Sequence, residues 1–451
     1  MNLSTLTAIS PIDGRYANKT AGLRPIFSEF GLIRFRLHVE IAWLQFLNKH
    51  LPELKIDKKS LAYLSEIHEK FSETDAKAIK DIEKITNHDL KAVEYFLKER
   101  MSALPELNKA KEFIHFACTS DDINNLAYAL MIKAGRDQHL LPVLKQLHHQ
   151  LHSMAIHYAE QPMLARTHGQ AATPTTLGKE IANTAMRLQR QILSIESQVI
   201  LGKLNGAVGN FNAHHIAYPE LDWPVLAKTF TESLGLSYNT HVTQIEPHDA
   251  LAEYCDTFAR ANTVLIDFAR DCWGYISLGY FTQKTVEDEV GSSTMPHKIN
   301  PIDFENAEGN LSIANALWKF FASRLPISRW QRDLVDSTLL RNLGVAHAHS
   351  LIAYSALITG LNKLSANTTL LDTELAQHWE VLTEAIQTVM RRYGLEQPYE
   401  RLKALSRGKQ ITQKELHHFI DTLELPNDIK DSLKALRPGN YLGYAAKLAR
   451  M

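Results

Sequence analysis

The chain has 451 residues, which at roughly 150 residues per domain is the length of about three domains. Apolar residues make up 45 % of the chain and charged residues 22 %, proportions that exclude a disordered, collagen-like or low-complexity protein. The formal net charge is −1, so no overall field favours nucleic acid or an anionic membrane. Three cysteines are too few for a disulfide scaffold and are typical of a reducing compartment.

Glycine and proline together make up about 8 % of the chain, below the usual roughly 12 %, and this shortage of helix breakers favours a helical fold. Residues 1–12 contain no basic side chain, which argues against a secretory signal peptide. Charged residues such as Glu40, Asp267 and Arg270 interrupt the apolar stretches before they reach the ~18 residues of a membrane-spanning helix. We therefore expect a soluble, cytoplasmic protein.

Two long apolar stripes with helical spacing occupy the middle of the chain. The first consists of Leu177, Ile181, Ala185, Leu188, Ile192, Ile195 and Val199, and the second of Leu251, Tyr254, Phe258, Ala261, Leu265, Phe268 and Cys272. Such a stripe lines one face of a helix and needs a partner helix to cover it. At ~1.5 Å per residue each helix would be over ~30 Å long, and such helices usually pack side by side. The pattern predicts an all-α fold with a long central helical bundle.

Loop-like composition near residues 105–108 and 365–369 divides the chain into three parts. We predict an N-terminal helical domain at residues 1–110, a central helical-bundle domain at residues 111–366 and a C-terminal helical domain at residues 367–451. Strand signals are scarce, and residues 207–208 and 241–245 are expected to form short hairpin pieces at most.

The cysteines and histidines do not indicate a metal site. Cys118, Cys255 and Cys272 lack the CxxC spacing of a zinc site. His148 and His152 have the i, i+4 spacing of a metal-binding pair, but HExxH is absent and no third ligand is evident nearby, so a polar helix face is the better interpretation. No GxGxxG or Walker sequence follows a predicted strand, which leaves a nucleotide-cofactor fold without support.

One segment carries more chemistry than a structural loop requires, namely residues 291–301 with the sequence GSSTMPHKINP. The Asn-Pro pair at 300–301 is typical of an N-cap and first helical residue, which would place Glu305 and Asn306 in the early turns of a helix. Backbone N–H groups at a helix start, together with Lys298, favour an anion-binding site. A loop that only caps the helix is the alternative interpretation.

Two further segments combine histidine with hydroxyl residues next to predicted helices: RTHGQ at residues 166–170 and HFACTSDD at residues 115–122. A lone His168 or His115 is more often a hydrogen-bonded structural residue than a catalyst. Three such loops, each beside a long helix, favour the hypothesis that they converge on one site.

The run SSTMPHKINP at residues 292–301 resembles the signature of the fumarase/aspartase superfamily, whose members eliminate fumarate or a close relative of it from succinyl-type substrates. Within the superfamily, the other motifs resemble the bacterial form of the branch that acts on adenylosuccinate. These motifs are SPIDGRY (10–16), TNHD (86–89), TS (119–120), RTHGQ (166–170), QIEPHD (244–249) and SRWQRD (328–333). Ala171 stands where that pattern has proline, which affects the rigidity of a loop and no chemical group.

The resemblance implies a three-domain helical enzyme that eliminates fumarate from adenylosuccinate, giving AMP. It also implies elimination from the succinylcarboxamide ribotide of de novo purine synthesis, giving the carboxamide ribotide. Further, it implies a homotetramer with active sites built from loops of three subunits, in agreement with apolar stripes that one chain would struggle to cover alone. No metal or organic cofactor is implied; the partners are these small molecules and further copies of the chain, without nucleic acid or membrane.

The resemblance assigns the general base to Ser292 and the general acid toward the purine nitrogen to His168, with Ser293 as a rival base. It implies that Thr119, Ser120, Lys298 and Asn300 bind the succinyl carboxylates, that Arg15, Tyr16, Arg332, Ser337 and Arg341 bind the phosphate and ribose, and that Asn87, His88, Asp89, Gln244 and Asn306 also contact the substrate. His115 and Glu305 would support the site, Glu305 by orienting a histidine of the neighbouring subunit, and a plain helix-terminus carboxylate is the alternative for Glu305. For Arg332 the alternative is a surface salt bridge.

Three other functions remain as alternatives. Another member of the superfamily, argininosuccinate lyase or fumarase, would act on a substrate without phosphate, which fits the arginine-rich positions less well. A helical structural protein without catalysis would require loss of the acid or the base, but His168 and Ser292 are both present. Nucleic-acid binding has the least support, because no basic stripe with interleaved aromatic residues is found.

Overall fold

The structure, a computed structural model, describes residues 1–284, 294–295, 297–407 and 411–451. Helices dominate, which confirms the prediction of an all-α fold. The first helices in chain order are α1 (Arg24–Phe27), α2 (Glu29–His50), α3 (Lys58–Glu69), α4 (Glu73–Thr86), α5 (Asp89–Met101), α6 (Pro105–Ala110), α7 (Ser120–Gly135), α8 (Leu141–His157), α9 (Leu177–Glu196), α10 (Asn212–Ala217) and α11 (Trp223–Ser233).

The later helices include two of the longest elements of the fold. They are α12 (Asp249–Ser277), α13 (Ile302–Arg324), α14 (Val335–Leu340), α15 (Leu343–Lys363), α16 (Thr368–Ala376), α17 (Thr383–Arg392), α18 (Pro398–Ser406), α19 (Gln413–Asp421), α20 (Asn427–Ala435) and α21 (Ala445–Ala449). Helix α13 begins one residue after the predicted Pro301.

The strands of the described part of the chain are two or three residues long and form two-stranded pairs. They are β1 (Pro162–Met163), β2 (Arg166–Thr167), β3 (Gln170–Ala171), β4 (Thr175–Thr176), β5 (Leu201–Gly202), β6 (Ser237–Tyr238), β7 (Phe281–Gln283) and β8 (Leu364–Ala366). Strand β1 pairs with β4, β2 with β3 and β7 with β8, all antiparallel, whereas β5 and β6 are parallel. The expected hairpin pieces at 207–208 and 241–245 do not form; residues 207–208 lie in a turn, between Gly206 and Gly209 with φ of 80° and 84°.

The chain divides into two compact units, each built from three separate stretches. Unit 1 comprises residues 1–144, 191–263 and 309–355, and unit 2 comprises residues 145–190, 264–308 and 356–451. Five helices, α8, α9, α12, α13 and α15, contribute one end to each unit.

An apolar core of unit 1 contains much of α2, which packs against α7. Ser28 starts α2 as its N-cap and accepts a hydrogen bond from the Gly31 N–H at 3.1 Å. The fully buried Trp43 lies at the middle of this core, with Phe46 and Phe230 stacked or tilted against its ring. This core fixes α2 and α7, and both helices position residues of the candidate site.

Unit 2 has a separate apolar core among its C-terminal helices. Leu164, beside the RTHGQ segment, packs into it with Leu375, Ile386, Met390 and Ile420. The segment that contains His168 is therefore attached directly to this core.

Most members of the two predicted stripes are buried in the structure, and Leu251 is half-buried. Leu177 to Ile195 lie on the covered face of α9, and Tyr254 to Cys272 lie on the covered face of α12. Helix α9 ends at Glu196, so Val199, the last member of its stripe, lies outside the helix and is 52 % exposed. Because the chain itself covers both stripes, the argument that they need a second subunit is wrong.

Candidate active site

His168 lies at the tip of a two-residue hairpin in unit 2. Strands β2 and β3 pair Arg166 with Ala171 and Thr167 with Gln170, leaving His168 and Gly169 as the loop. Both loop residues have positive φ, 54° and 75°, as a type I′ turn requires. Glycine adopts this conformation without cost, and the tight turn leaves the His168 side chain exposed.

The base of the hairpin is anchored by side chains of the same unit. The Arg166 guanidinium forms an ion pair with Glu374 of α16 and donates a hydrogen bond to the Tyr280 hydroxyl at 3.2 Å. The Tyr280 hydroxyl in turn donates to Glu374. Three side chains therefore hold the strand that leads to His168.

The predicted general base and its rival lie outside the described residues, since Ser292 and Ser293 fall in the gap between 284 and 294. Lys298 follows this gap with an exposed side chain, and the half-buried Asn300 precedes the first turn of α13. The backbone between them is held by Gln283, whose side-chain amide donates to the Ile299 carbonyl at 3.2 Å. Unit 2 thus contains His168, Lys298, Asn300 and Asn306 of the predicted set.

Glu305, in the first turn of α13, accepts a hydrogen bond from the Trp273 indole N–H of α12 at 3.1 Å. Its carboxylate is also on the favourable side of the helix dipole. The contact with Trp273 is within unit 2 and leaves the predicted interaction with a histidine of another subunit as a proposal.

In unit 1, Thr119 and Ser120 form the N-terminus of α7. Thr119 is the N-cap, and its N–H donates to the Asp122 carboxylate at 2.8 Å in a capping box. Asp122 is fully buried, forms an ion pair at 2.8 Å with the equally buried Lys203, and accepts from the Asn205 N–H at 2.9 Å. This buried pair fixes the start of α7. The hydroxyl groups of Thr119 and Ser120 at this position are the ones that the resemblance assigns to a succinyl carboxylate.

His115 precedes this helix start and is bound by the Glu40 carboxylate of α2. Its ring Nδ1 lies 2.6 Å from Glu40 Oε1, and its backbone N–H donates to Oε2 of the same carboxylate at 3.1 Å. Burial lowers the pKa of His115, but the Glu40 carboxylate outweighs it and raises the pKa above its ordinary value. His115 thus pairs with a fully buried carboxylate, and its supporting role in the site stays a prediction.

The TNHD motif forms the junction of α4 and α5. Asn87 ends α4 in the left-handed conformation with φ of 50°, and His88 caps α5 by accepting the Lys91 N–H at Nδ1, 3.2 Å away. With Nδ1 as an acceptor, the neutral ring carries its proton on Nε2. The exposed His88 ring thus presents an N–H group to solvent.

Asp89 brings two arginines together. Its Oδ2 lies 2.7 Å from Nη2 of the buried Arg36 and 3.1 Å from Nη2 of Arg341, which also pairs with Glu29 at 2.7 Å. Two members of the predicted binding set, Asp89 and Arg341, are therefore in direct contact. Arg341 keeps 37 % of its side chain exposed and can still reach an anion.

Gln244, Arg332 and Ser337 lie on two segments of unit 1 that are joined by a backbone hydrogen bond. The Gln244 N–H donates to the Gln331 carbonyl at 3.3 Å, and its side-chain amide donates to the Ala207 carbonyl at 2.9 Å. Arg332 is 19 % exposed and pairs with Asp121, the residue after Ser120. The ion pair that the alternative predicts for Arg332 is therefore present, although its partner Asp121 is buried, and the phosphate role of Arg332 stays a prediction.

Arg15 and Tyr16 belong to a compact series of turns at residues 10–20. The Ser10 carbonyl accepts from the N–H groups of residues 13 and 14, and Thr20 donates its hydroxyl to the Ile12 carbonyl at 3.0 Å. The turns leave the Arg15 guanidinium exposed and Tyr16 half-buried.

Several buried titratable residues that hold parts of the candidate site were not among the predicted site residues. Glu40, Asp122 and His248 are each at most 5 % exposed and hold segments that carry predicted residues. A charged residue inside an otherwise apolar helix, as in the sequence HVEIAWL around Glu40, is the signal that indicates such a partner.

Within the described ranges, no three histidine, cysteine or carboxylate side chains are arranged to hold a metal ion. His148 and His152 stack with their ring centroids 6.1 Å apart on the polar face of α8. No helix in the described part of the chain is both long and apolar enough to cross a membrane.

Two solved structures share this architecture over nearly the whole chain. A 3-carboxy-cis,cis-muconate lactonizing enzyme from Pseudomonas putida superposes with a TM-score of 0.75 at 20 % identity, covering 95 % of both chains. A fumarate lyase from Mesorhizobium sp. BNC1 gives the same TM-score at 19 % identity, covering 95 % of this chain and 96 % of the other. The fold class of the molecule is thus the helical architecture that it shares with these two enzymes.

Family models and relatives narrow the class. A family model described as Lyase matches residues 14–314, and a model of the adenylosuccinate lyase C-terminal region matches residues 328–442. Adenylosuccinate lyase of Escherichia coli strain K12 is 56 % identical over 99 % of this chain and 98 % of the relative. The Vibrio cholerae serotype O1 enzyme of the same name is 55 % identical over 99 % of both chains. The chain belongs to the adenylosuccinate lyase family.

Proposed function

We propose that the chain eliminates fumarate from adenylosuccinate, giving AMP, and from the succinylcarboxamide ribotide, giving the carboxamide ribotide. The observation that carries the proposal is the identity of 50–56 % to adenylosuccinate lyases over essentially the whole chain. The arginines of unit 1 support a phosphorylated substrate, because the planar guanidinium matches phosphate geometry. Substrates of argininosuccinate lyase and fumarase lack that group.

The reaction breaks a C–N bond next to a carbon that must lose its proton. That proton lies alpha to a carboxylate, so its removal produces a doubly charged aci-carboxylate that needs nearby donors and cations. The electron pair of the C–H bond forms the double bond of fumarate, and the leaving nitrogen takes a proton. The enzyme therefore needs a base on carbon and an acid on nitrogen.

We assign the base to Ser292 and the acid to His168. His168 suits the acid role because an imidazole titrates near neutral pH and because the hairpin tip leaves its ring accessible. A serine acts as a base only where its alkoxide is stabilised, and Lys298 and the start of α13 supply positive charge for that purpose. Each positioned proton-transfer group contributes typically ~10²–10⁴-fold to the rate.

We assign the two ends of the substrate to separate groups of side chains. Thr119 and Ser120, at the start of α7, and Lys298 with Asn300, before α13, bind the succinyl carboxylates. Helix N-termini favour such anions because their backbone N–H groups are unpaired by the helix and carry the positive end of its dipole. The phosphate and ribose are assigned to Arg15, Tyr16, Arg332, Ser337 and Arg341, and the remaining contacts to Asn87, His88, Asp89, Gln244 and Asn306.

We further propose that the chain forms a homotetramer whose active sites combine loops of three subunits. Support comes from apolar side chains that the central helices leave exposed at intervals of seven residues, which places them on one helix face. Met186 and Leu193 on α9 are 40 % and 58 % exposed, and Ile313 and Phe320 on α13 are 49 % and 47 % exposed. Such surfaces on a long helix are typical of an interface between copies.

The three-domain division at residues 1–110, 111–366 and 367–451 and a cytoplasmic location complete the proposal. A separate family model for residues 328–442 supports a distinct C-terminal part. The three cysteines are free in the structure, as expected of a reducing compartment.

The decisive experiment follows ultraviolet absorbance of the purified protein with adenylosuccinate, and with argininosuccinate and malate as controls. We expect AMP and fumarate from adenylosuccinate and no change with the controls. Fumarate from a control in place of adenylosuccinate would assign the chain to a sister reaction. A folded protein inactive on all three would favour the non-catalytic alternative.

A further inference from the structure

His248 lies buried among three carboxylates in unit 1. Its Nε2 is 3.4 Å from Asp336 Oδ2, and its Nδ1 is 3.7 Å from Glu246 Oε2, which also accepts the His248 backbone N–H at 2.8 Å. Asp121 of α7 is the third carboxylate that acts on the ring. All four side chains are at most 7 % exposed.

The backbone at His248 is also held in an uncommon conformation. Its φ is 66°, in the left-handed region that non-glycine residues occupy infrequently. His248 also precedes α12, and its carbonyl accepts the Ala252 N–H at 2.8 Å. The ring is thus fixed in position by its own loop as well as by its partners.

This cluster joins three segments that each carry residues assigned to the substrate. Glu246 and His248 belong to the loop of Gln244, Asp336 directly precedes Ser337, and Asp121 directly follows Ser120. Asp121 Oδ1 also lies 3.2 Å from Arg332 Nη1, an ion pair without the alignment of a hydrogen bond. The cluster is therefore adjacent in sequence or in space to residues assigned to both ends of the substrate, Ser120 at the succinyl end and Arg332 and Ser337 at the phosphate and ribose end.

The cluster borders a cavity whose lining is largely apolar. Asp121, Glu246 and His248 line a cavity of about 40 Å³ together with side chains such as Ile132 and Leu201. The buried Asp121 Oδ2 has no hydrogen-bond partner in the structure, and the cavity has room for one or two water molecules beside it. In such a low-dielectric place charge balance matters more than at the surface.

We propose that His248 is a positioning residue: its buried imidazolium holds the Gln244 loop against the segment of Arg332 and Ser337, so that the phosphate and ribose contacts are in place before substrate binds. This inference rests on the proposed function. It adds a residue that touches no substrate and acts through the side chains around it.

The charge of the ring follows from its surroundings. Burial lowers the pKa of His248, but Asp336, Glu246 and Asp121 together outweigh burial and raise it above its ordinary value. Burial in turn raises the pKa of both Asp121 and Glu246, so these carboxylates depend on the nearby cations to stay ionised. With His248 neutral, Lys203 and Arg332 would be the cations left to balance Asp121. Lys203 is fully buried and already paired with Asp122, so the Arg332 guanidinium would be drawn inward, away from substrate.

The test uses His248→Gln in the full-length protein, with steady-state kinetics on adenylosuccinate and calorimetric binding of AMP. We expect both the KM for adenylosuccinate and the Kd for AMP to rise about 10-fold, with kcat within about 3-fold of the original protein. An unchanged KM and Kd, or a loss confined to kcat, would overturn the proposal.

A charge-balanced variant separates positioning from simple packing. Asp336→Asn leaves His248 without its partner and should raise KM as His248→Gln does, whereas the double variant removes one charge of each sign and should return KM to within about 3-fold of the original. The side-chain carbonyl oxygen that Asp336→Asn introduces can still accept the Ser337 N–H, which Asp336 binds at 2.7 Å. A double variant whose KM is as high as that of either single variant would refute the charge role.

The matched control is His349→Gln in the same unit. His349 is 6 % exposed, and its Nδ1 lies 2.8 Å from the neutral side chain of Asn310. We expect this variant to lower Tm without raising KM. If His248→Gln fails to fold, Asp336→Asn and the double variant still decide the question. The AMP measurement needs no turnover, so it tests this inference separately from the proposed reaction. The turnover of adenylosuccinate by the original protein tests the proposed reaction.

Discussion

Arg341 and Asp89 lie 252 positions apart in the sequence, yet Nη2 of the arginine is 3.1 Å from Oδ2 of the aspartate. The same carboxylate oxygen pairs with Arg36, which is 2 % exposed. One aspartate therefore both neutralises a buried charge and orients an arginine that we assign to phosphate.

Asp89→Asn should destabilise unit 1 and weaken substrate binding together. Removing Asp89 leaves the buried Arg36 charge uncompensated, and because Asp89 is 29 % exposed we expect a cost below the about 3–5 kcal/mol of a fully buried pair. Urea unfolding measures the loss of stability, and KM measures the loss of Arg341 orientation. Lys77→Gln, which breaks an exposed pair with Asp81, is the control and should change neither. A stable Asp89→Asn protein with normal KM would contradict the assignment.

The same pair predicts a dependence on acid. Burial raises the pKa of Asp89, but Arg36 and Arg341 outweigh burial and hold the pKa below its ordinary value of 3.8. A depressed pKa contributes stability that is present above the unfolded value and lost as pH falls through the folded one. As the pH drops below about 4, the Tm of the original protein should therefore decrease, and the Tm of Asp89→Asn should decrease less steeply.

Glu40→Gln should destabilise the fold more at acidic than at alkaline pH, because the contribution of Glu40 depends on a charged His115. The Glu40 carboxylate raises the pKa of His115, so this pair stabilises the fold below the unfolded pKa of histidine and the contribution is lost as pH rises through the folded value. Glutamine removes the charge, and we expect a loss of about 3–5 kcal/mol at pH 6 that shrinks by pH 9. Urea unfolding at both pH values measures the difference, and an equal loss at both would refute the pair as its cause.

Glu374→Gln should loosen the His168 hairpin. Arg166 would lose its carboxylate partner, while the amide can still bind the Tyr280 hydroxyl. A half-exposed ion pair is worth up to about 1 kcal/mol, so we expect kcat to fall about 5-fold with little change in KM. Glu160→Gln, which breaks the exposed pair with Arg450, is the matched control and should leave kcat intact. A rise in KM alone would place Glu374 in binding instead.

The two serines of the signature can be separated by single variants. Ser292→Ala should lower kcat by ~10²–10⁴-fold, as should His168→Ala, because each removes one proton-transfer group. Ser293→Ala should keep most of the activity. The measurement is steady-state turnover of adenylosuccinate, with circular dichroism to verify the fold. The reverse ranking of the two serines would make Ser293 the base.

The helices were predictable because their signal is local. The stripes at 177–199 and 251–272 predicted α9 and α12, since apolar spacing alone defines a buried helix face. The early end of α9 at Glu196 and the turn at 207–208 were not predictable from spacing. Gly206 and Gly209 flank the turn at 207–208, and their positive φ prevents a strand from forming there.

The site was predictable only as far as its motifs. RTHGQ and TNHD indicated His168 and Asp89, but not the side chains that hold them, because Glu374 and Arg36 lie far away in the sequence. Glu40 and His248 acquire their roles from burial beside a partner, which one sequence does not display. The resemblance supplied chemical roles, and the structure supplied the contacts that support them.

The interleaving of the two units has a consequence for how the chain is made. Unit 1 lacks its last stretch until residue 355 has been synthesised, and unit 2 lacks most of its core until later still. At ~5–20 residues per second a ribosome takes roughly 20–70 s to reach that point. During this time the first 144 residues wait with apolar surface uncovered, so the nascent chain is a natural client for a chaperone that holds unfinished proteins.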